Sequence, residues 1–176
     1  YAHMEAVRDA ILGSGLVDFD TEFEWKVYII NDDSVLNAFC TPGGYIYFYT
    51  GLIRFLDNDA QFAGVMGHEM AHAAERHSTQ QMTKAYGIEM LLSVVLGDNP
   101  NMIAQMAAEL AAGVTTLAFS RDDEYEADEL SVKYLYETTY DARGVAGFFE
   151  KMIGQPEPPE FLSTHPNSEN RVEKIY

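Results

Sequence analysis

Hydrophobic and polar residues alternate along this chain with two different periods, and the change from one to the other divides it. Glu5–Ile11 carries apolar residues at helical spacing, and Gly13 and Gly15 follow as a stop. Trp25–Ile30 is rich in aromatic and β-branched residues, the composition of a strand. Asn31–Ser34 supplies turn chemistry before a second apolar run, Val35–Thr41, and Pro42-Gly43-Gly44 turns the chain into a third, Tyr45–Thr50. A small sheet of about three strands near the N-terminus is expected. Beyond Gly51 the strand character disappears. Asp57, Asn58 and Asp59 offer caps for a helix over Asp59–Met82, and further helices are expected at Ala85–Leu96, Met102–Phe119, Arg121–Thr138 and Ala142–Ile153. Three prolines make Gln155–Glu160 a loop, and Asn167–Lys174 reads as a short terminal helix after Pro166. The expected fold is α+β and mainly helical, one domain over residues 1–176.

Composition narrows the class. A chain of 176 residues with 47% hydrophobic content can bury one core. Eleven basic against 28 acidic residues give a net charge of −17, which repels a phosphate backbone and argues against nucleic-acid binding. The most apolar stretches are Ile88–Leu96, too short to span a bilayer, and Met102–Phe119, interrupted by Gln105 and Glu109, so no transmembrane span is expected. The chain starts at Tyr1, which fits a mature or trimmed form that has lost a targeting or anchoring segment. Nothing in the sequence specifies an oligomeric state. The single cysteine, Cys40, can form no internal disulfide and no thiolate metal site, and its apolar setting suggests inert packing. Any metal must therefore be held by histidine and carboxylate.

His68-Glu69-Met70-Ala71-His72 is an H-E-x-x-H motif. On a helix four residues advance by about 400°, so His68 and His72 project from one face a turn apart and can grip one zinc ion. Glu69, turned by about 100° from His68, misses the metal but reaches its bound water. Such a site requires a third protein ligand and an open position. The extended pattern that supplies a third histidine from the same helix fails, because Glu75 and Ser78 stand where it needs glycine and histidine. His77 would lie about 180° around a continuous helix from His68, which gives it a structural or surface role. The other source is a carboxylate from a later helix. Glu124 and Asp128, four residues apart, share one face, so Glu124 could bind zinc while Asp128 accepts a hydrogen bond from a ligand imidazole. Spacing alone hardly separates Glu124 from Asp123 or Glu126.

Four ordered blocks carry a family likeness: Asn37-Ala38-Phe39 with Pro42–Tyr47; His68–His72 with His77; Ser120-Arg121 with Glu124 and Ala127-Asp128; and Thr164-His165-Pro166 with Arg171-Val172. Through them the chain resembles the zinc metallopeptidases that include the CaaX prenyl protease, HtpX, and the Oma- and BepA-type proteases. The resemblance implies a zincin-like fold and a gluzincin site, with one zinc on His68, His72 and Glu124 and with Glu69 as base. It also places His165 near the metal as a donor to the developing oxyanion, and has Arg171 holding that segment or contacting the site. It departs from the prenyl protease and HtpX in lacking membrane-spanning helices, which points to the soluble envelope branch. The expected substrates are then polypeptides, such as unfolded or misassembled envelope proteins, and the expected location is the periplasm. Two other readings stay open: a chaperone-like or binding module with structural zinc, and a zinc hydrolase acting on something other than peptides.

Overall fold

The computed structural model describes residues 1–87, 118–153, 161–166 and 170–176. The expected helix Met102–Phe119 except its last two residues, most of Ala85–Leu96, the loop Gln155–Glu160 and the start of Asn167–Lys174 lie outside the described residues.

Helix α1 (Ala2–Leu12) buries Met4, Val7 and Ile11, the i, i+3, i+7 stripe of an amphipathic helix. The three strands are β1 (Lys26–Ile30), β2 (Ala38–Thr41) and β3 (Tyr45–Tyr49), in the order β1-β3-β2. β3 is parallel to β1 and antiparallel to β2. Its side chains alternate, with Ile46 and Phe48 turned into the core and Tyr45, Tyr47 and Tyr49 on the other face. β3 is therefore the central strand, and it is β1 and β2 that have an edge unpaired among the described residues. The short helix α2 (Thr50–Phe55) follows β3 directly, an element that the strand-like composition of Tyr45–Thr50 concealed.

Helix α3 (Asp59–Ala74) is the axis of the molecule: every residue from Gln61 to Ala74 is buried. Asn58 caps it, its side chain accepting from the Gln61 N–H at 2.9 Å. α1, β2, α5 (Arg121–Tyr136) and α6 (Gly144–Ile153) pack around it. The close approaches need missing side chains. A Cβ on Gly64 would lie 2.3 Å from Val145 N, and one on Gly67 2.8 Å from Ser131 Oγ. Ser131 Oγ also donates to Gly64 O at 2.9 Å, which ties α5 to α3 one turn before the H-E-x-x-H motif.

The expected helix Asp59–Met82 is two helices. α3 ends at Ala74, Arg76 takes a left-handed conformation (φ 61°, ψ 22°), and α4 (His77–Tyr86) starts in a new direction. Arg76 has no sequence mark of a break; its guanidinium lies 4.5 Å from the centre of the Phe19 ring, a cation–π contact. α5 begins with a capping box between Ser120 and Asp123. The short helices α7 (Phe161–Thr164) and α8 (Arg171–Ile175) close the described chain. Among the described residues no helix is long and apolar enough to cross a membrane.

Candidate metal centre

α3 and α5 cross so that His68, Glu69 and His72 from one meet Glu124 and Asp128 from the other, and α7 delivers His165 at its end. His68, Glu69 and His165 are 0% exposed. Candidate donor atoms of His68, His72, Glu124 and His165 all lie within 4.8 Å of one another. His68 Nε2 is 3.0 Å from His72 Nε2, 3.2 Å from His165 Nδ1 and 3.5 Å from Glu124 Oε2. Glu124 Oε1 is 3.4 Å from His72 Nε2 and 3.0 Å from His165 Nδ1. The edges of a tetrahedron around zinc with bonds of about 2.0–2.1 Å are about 3.3–3.4 Å, so these donors are spaced to share one ion.

Charge gives a second test of fit. Glu69, Glu124 and Asp128 are buried carboxylates, whereas Arg171 is the one buried guanidinium among the described residues. A metal cation would offset the excess of buried carboxylates, and uncompensated buried charge is costly. Glu69 has neither carboxylate oxygen hydrogen-bonded among the described residues; His165 Nε2 stands 3.3 Å from Oε1. Burial raises the Glu69 pKa, and the charges of His165 and His68 oppose that only in part.

The partners of the outer ring nitrogens bear on the tautomers. His68 Nδ1 lies 2.9 Å from Asp128 Oδ1, close but outside hydrogen-bond geometry, while Nε2 faces the cluster. Burial alone would lower the His68 pKa, but Asp128 and Glu124 outweigh it and raise it to about 9. His72 moves the other way, well below its ordinary value, because burial dominates. Glu124 is held well below the carboxylate range: burial raises it, but His165, His68 and His72 prevail. Asp128 is also lowered, since Arg171 and His68 overcome its burial.

Arg171 lies beneath the site. Its Nε and Nη2 donate to Asp128 Oδ2 and Oδ1 at 2.7 Å each, Nη1 is 2.6 Å from Glu124 Oε2, and the guanidinium stands 4.0 Å from the centre of the Phe149 ring. Every residue singled out from the sequence for this site is thus brought together. His165 stands at the donor cluster, its Nδ1 among the donor atoms and its Nε2 turned to Glu69. Asp123 caps α5 instead. Cys40 is buried, its Sγ 3.0 Å from Ser78 Oγ, and burial together with the Glu69 charge pushes its thiol pKa well up, consistent with inert packing.

Other neighbours had no signal in the sequence. The Phe119 ring stacks on His72 at 3.9 Å and Phe161 on His165 at 4.2 Å, aromatic walls assembled from distant segments. His77 is the clearest correction. The break at Arg76 turns it back instead of 180° away, so it is 3% exposed with its Nδ1 3.0 Å from His72 Nδ1.

The profile of Peptidase family M48 matches residues 5–176. The chain is similar to the mitochondrial metalloendopeptidase OMA1 of Arabidopsis thaliana, 34% identical over 149 residues, covering 84% of this chain and 30% of that protein. It is similar to the beta-barrel assembly-enhancing protease of Escherichia coli (strain K12), 34% identical over 158 residues, covering 82% and 32%. The human mitochondrial metalloendopeptidase OMA1 is 27% identical over 170 residues, covering 88% and 32%. The chain thus spans about a third of the length of these relatives.

Proposed function

Because the chain belongs to peptidase family M48, we propose that it is a zinc-dependent endopeptidase whose metal is held by His68, His72 and Glu124. The observation that carries this is the convergence of those three donors beside a buried carboxylate, Glu69, that has no hydrogen-bond partner among the described residues. When bound, zinc supplies a water of lowered pKa and polarises the scissile carbonyl. Glu69 takes the proton of the attacking water and passes it to the leaving amine, and burial moves its pKa toward the range in which a base works near neutral pH. Asp128 orients His68, and Arg171 holds both Asp128 and Glu124. His165 Nε2, next to Glu69, is the donor for the developing oxyanion. An extended polypeptide would pair with the edge of β2, the strand packed on α3, through backbone hydrogen bonds of low sequence selectivity. The substrates we assign are unfolded or misassembled proteins of the cell envelope, met on its periplasmic side; the likeness to beta-barrel assembly-enhancing proteases supports this.

One observation favours a second reading. With His165 Nδ1 among the donors, four protein side chains could close the metal as in a structural zinc site. Turnover of an unstructured protein such as casein, measured with bound zinc on the same samples, separates the two. In an enzyme, Glu69→Gln keeps zinc and loses hydrolysis, and His165→Ala also keeps zinc. A structural centre shows no Glu69-dependent turnover and loses zinc with His165→Ala.

A further inference from the structure

His72 stands between two surfaces that do different things to its ring. Phe119 stacks on one face with the planes 16° apart, which fixes the plane of the imidazole. Stacking does not decide which ring edge points at the metal donors, because a half-turn about the Cβ–Cγ bond preserves the plane. That choice needs a directional partner at Nδ1. The partner is His77, whose Nδ1 is 3.0 Å from His72 Nδ1 and whose Nε2 is 3.2 Å from Glu126 Oε2. Asp123 Oδ1, 3.7 Å from the same Nε2, adds a second negative group. Nε2 of His77 thus faces two carboxylates and is placed to donate to them, and in the tautomer that carries the proton there Nδ1 presents a lone pair to His72.

We infer that His77 is a positioning residue for the metal centre: it accepts the Nδ1 proton of His72 and, held by Glu126, keeps the Nε2 lone pair of His72 on the metal. The inference rests on the zinc site proposed above. A metal-bound histidine commonly turns its other ring nitrogen to a carboxylate, as His68 Nδ1 is turned to Asp128 at 2.9 Å. A carboxylate against His72 as well would add a fourth buried negative charge to Glu69, Glu124 and Asp128. An imidazole gives the same direction without that charge, and passes the carboxylate contact outward to half-exposed Glu126. The backbone is strained where this contact requires it. A continuous α3 would carry His77 to the opposite side, and the left-handed Arg76, a conformation that costs a non-glycine residue, brings it back.

The test uses the full chain and zinc ion, with affinity read by competition against a chelator. His77→Phe keeps a ring but no acceptor, and its zinc affinity is expected to fall about 10–100-fold. His77→Asn places Oδ1 where Nδ1 stood and should recover most of that loss, while Glu126→Ala should weaken binding less than His77→Phe. Long-range ¹H–¹⁵N spectra of the zinc-loaded wild type should show His72 protonated at Nδ1 and metal-bound through Nε2. Wild-type affinity in His77→Phe, or equal loss in His77→Asn and His77→Phe, would overturn the inference. So would zinc bound through His72 Nδ1, a result that decides the matter even if His77→Phe does not fold. A wild-type chain that binds no zinc refutes the zinc site itself; normal wild-type binding with an unaffected His77→Phe refutes only the role of His77.

Discussion

Replacing Arg171 by methionine should destabilise the protein far more than a surface charge change, and most at neutral pH. The guanidinium is 0% exposed and compensates two buried carboxylates, with two 2.7 Å bonds to Asp128 and a 2.6 Å ion pair to Glu124. Methionine preserves much of the packing on Phe149 but leaves both acids without that partner. Breaking a buried ion pair by removing one side costs about 3–5 kcal/mol, and at roughly 2–4 °C per kcal/mol for a chain of this size the midpoint should fall by about 6–20 °C. Zinc would restore positive charge beside Glu124, so the loss should be smaller in the loaded protein. The pH dependence has a definite sign. Asp128 is lowered in the folded state, so its contribution is present above the unfolded carboxylate pKa of about 4 and lost as pH falls through the folded value. The gap between wild type and Arg171→Met should therefore be widest near neutrality and shrink in acid. Calorimetry of zinc-free and zinc-loaded samples at several pH values measures this. A zinc-free variant melting within about 2 °C of wild type, below even one kcal/mol on the same scale, would refute the reasoning.

Two further predictions test other parts of the structure. Because His68 in the zinc-free protein has its pKa raised to about 9, zinc must displace a proton from it. Affinity should rise about tenfold per pH unit from roughly 7 to 9 and then level off, and a flat profile in chelator-buffered titrations would contradict the assigned partners of His68. Gly64→Ala places a Cβ 2.3 Å from Val145 N and 2.8 Å from Gly144 C, backbone atoms that cannot swing aside. The overpacking cost of about 1–3 kcal/mol should exceed the roughly 1 kcal/mol gained in helix propensity, and a variant as stable as wild type would contradict the packing of α3 on α6.

What could be read from the sequence was what depends on local periodicity. The H-E-x-x-H spacing set His68 and His72 on one helical face, and the four-residue interval from Glu124 to Asp128 set two carboxylates on another. Distinguishing Glu124 from Asp123 and Glu126 needed the family likeness, because all three lie within one turn. In the structure the three divide by direction: Glu124 faces the histidines, Asp123 caps its own helix and Glu126 meets His77. The order of the sheet depended on pairing between segments, so Tyr45–Thr50 could be read as a strand but not as its centre. The place of His77 was hidden for a different reason. It follows from the left-handed turn at Arg76, a residue type that gives no local sign of such a conformation, and the helical period continued through it would put His77 on the wrong side.

Anomalous diffraction at the zinc edge, from crystals grown with zinc, locates the metal and its ligands. One strong peak per chain is expected, within about 2.0–2.2 Å of His68 Nε2, His72 Nε2 and a Glu124 oxygen. A peak elsewhere, or one bonded to Asp123 or Glu126 in place of Glu124, would contradict the proposed zinc site.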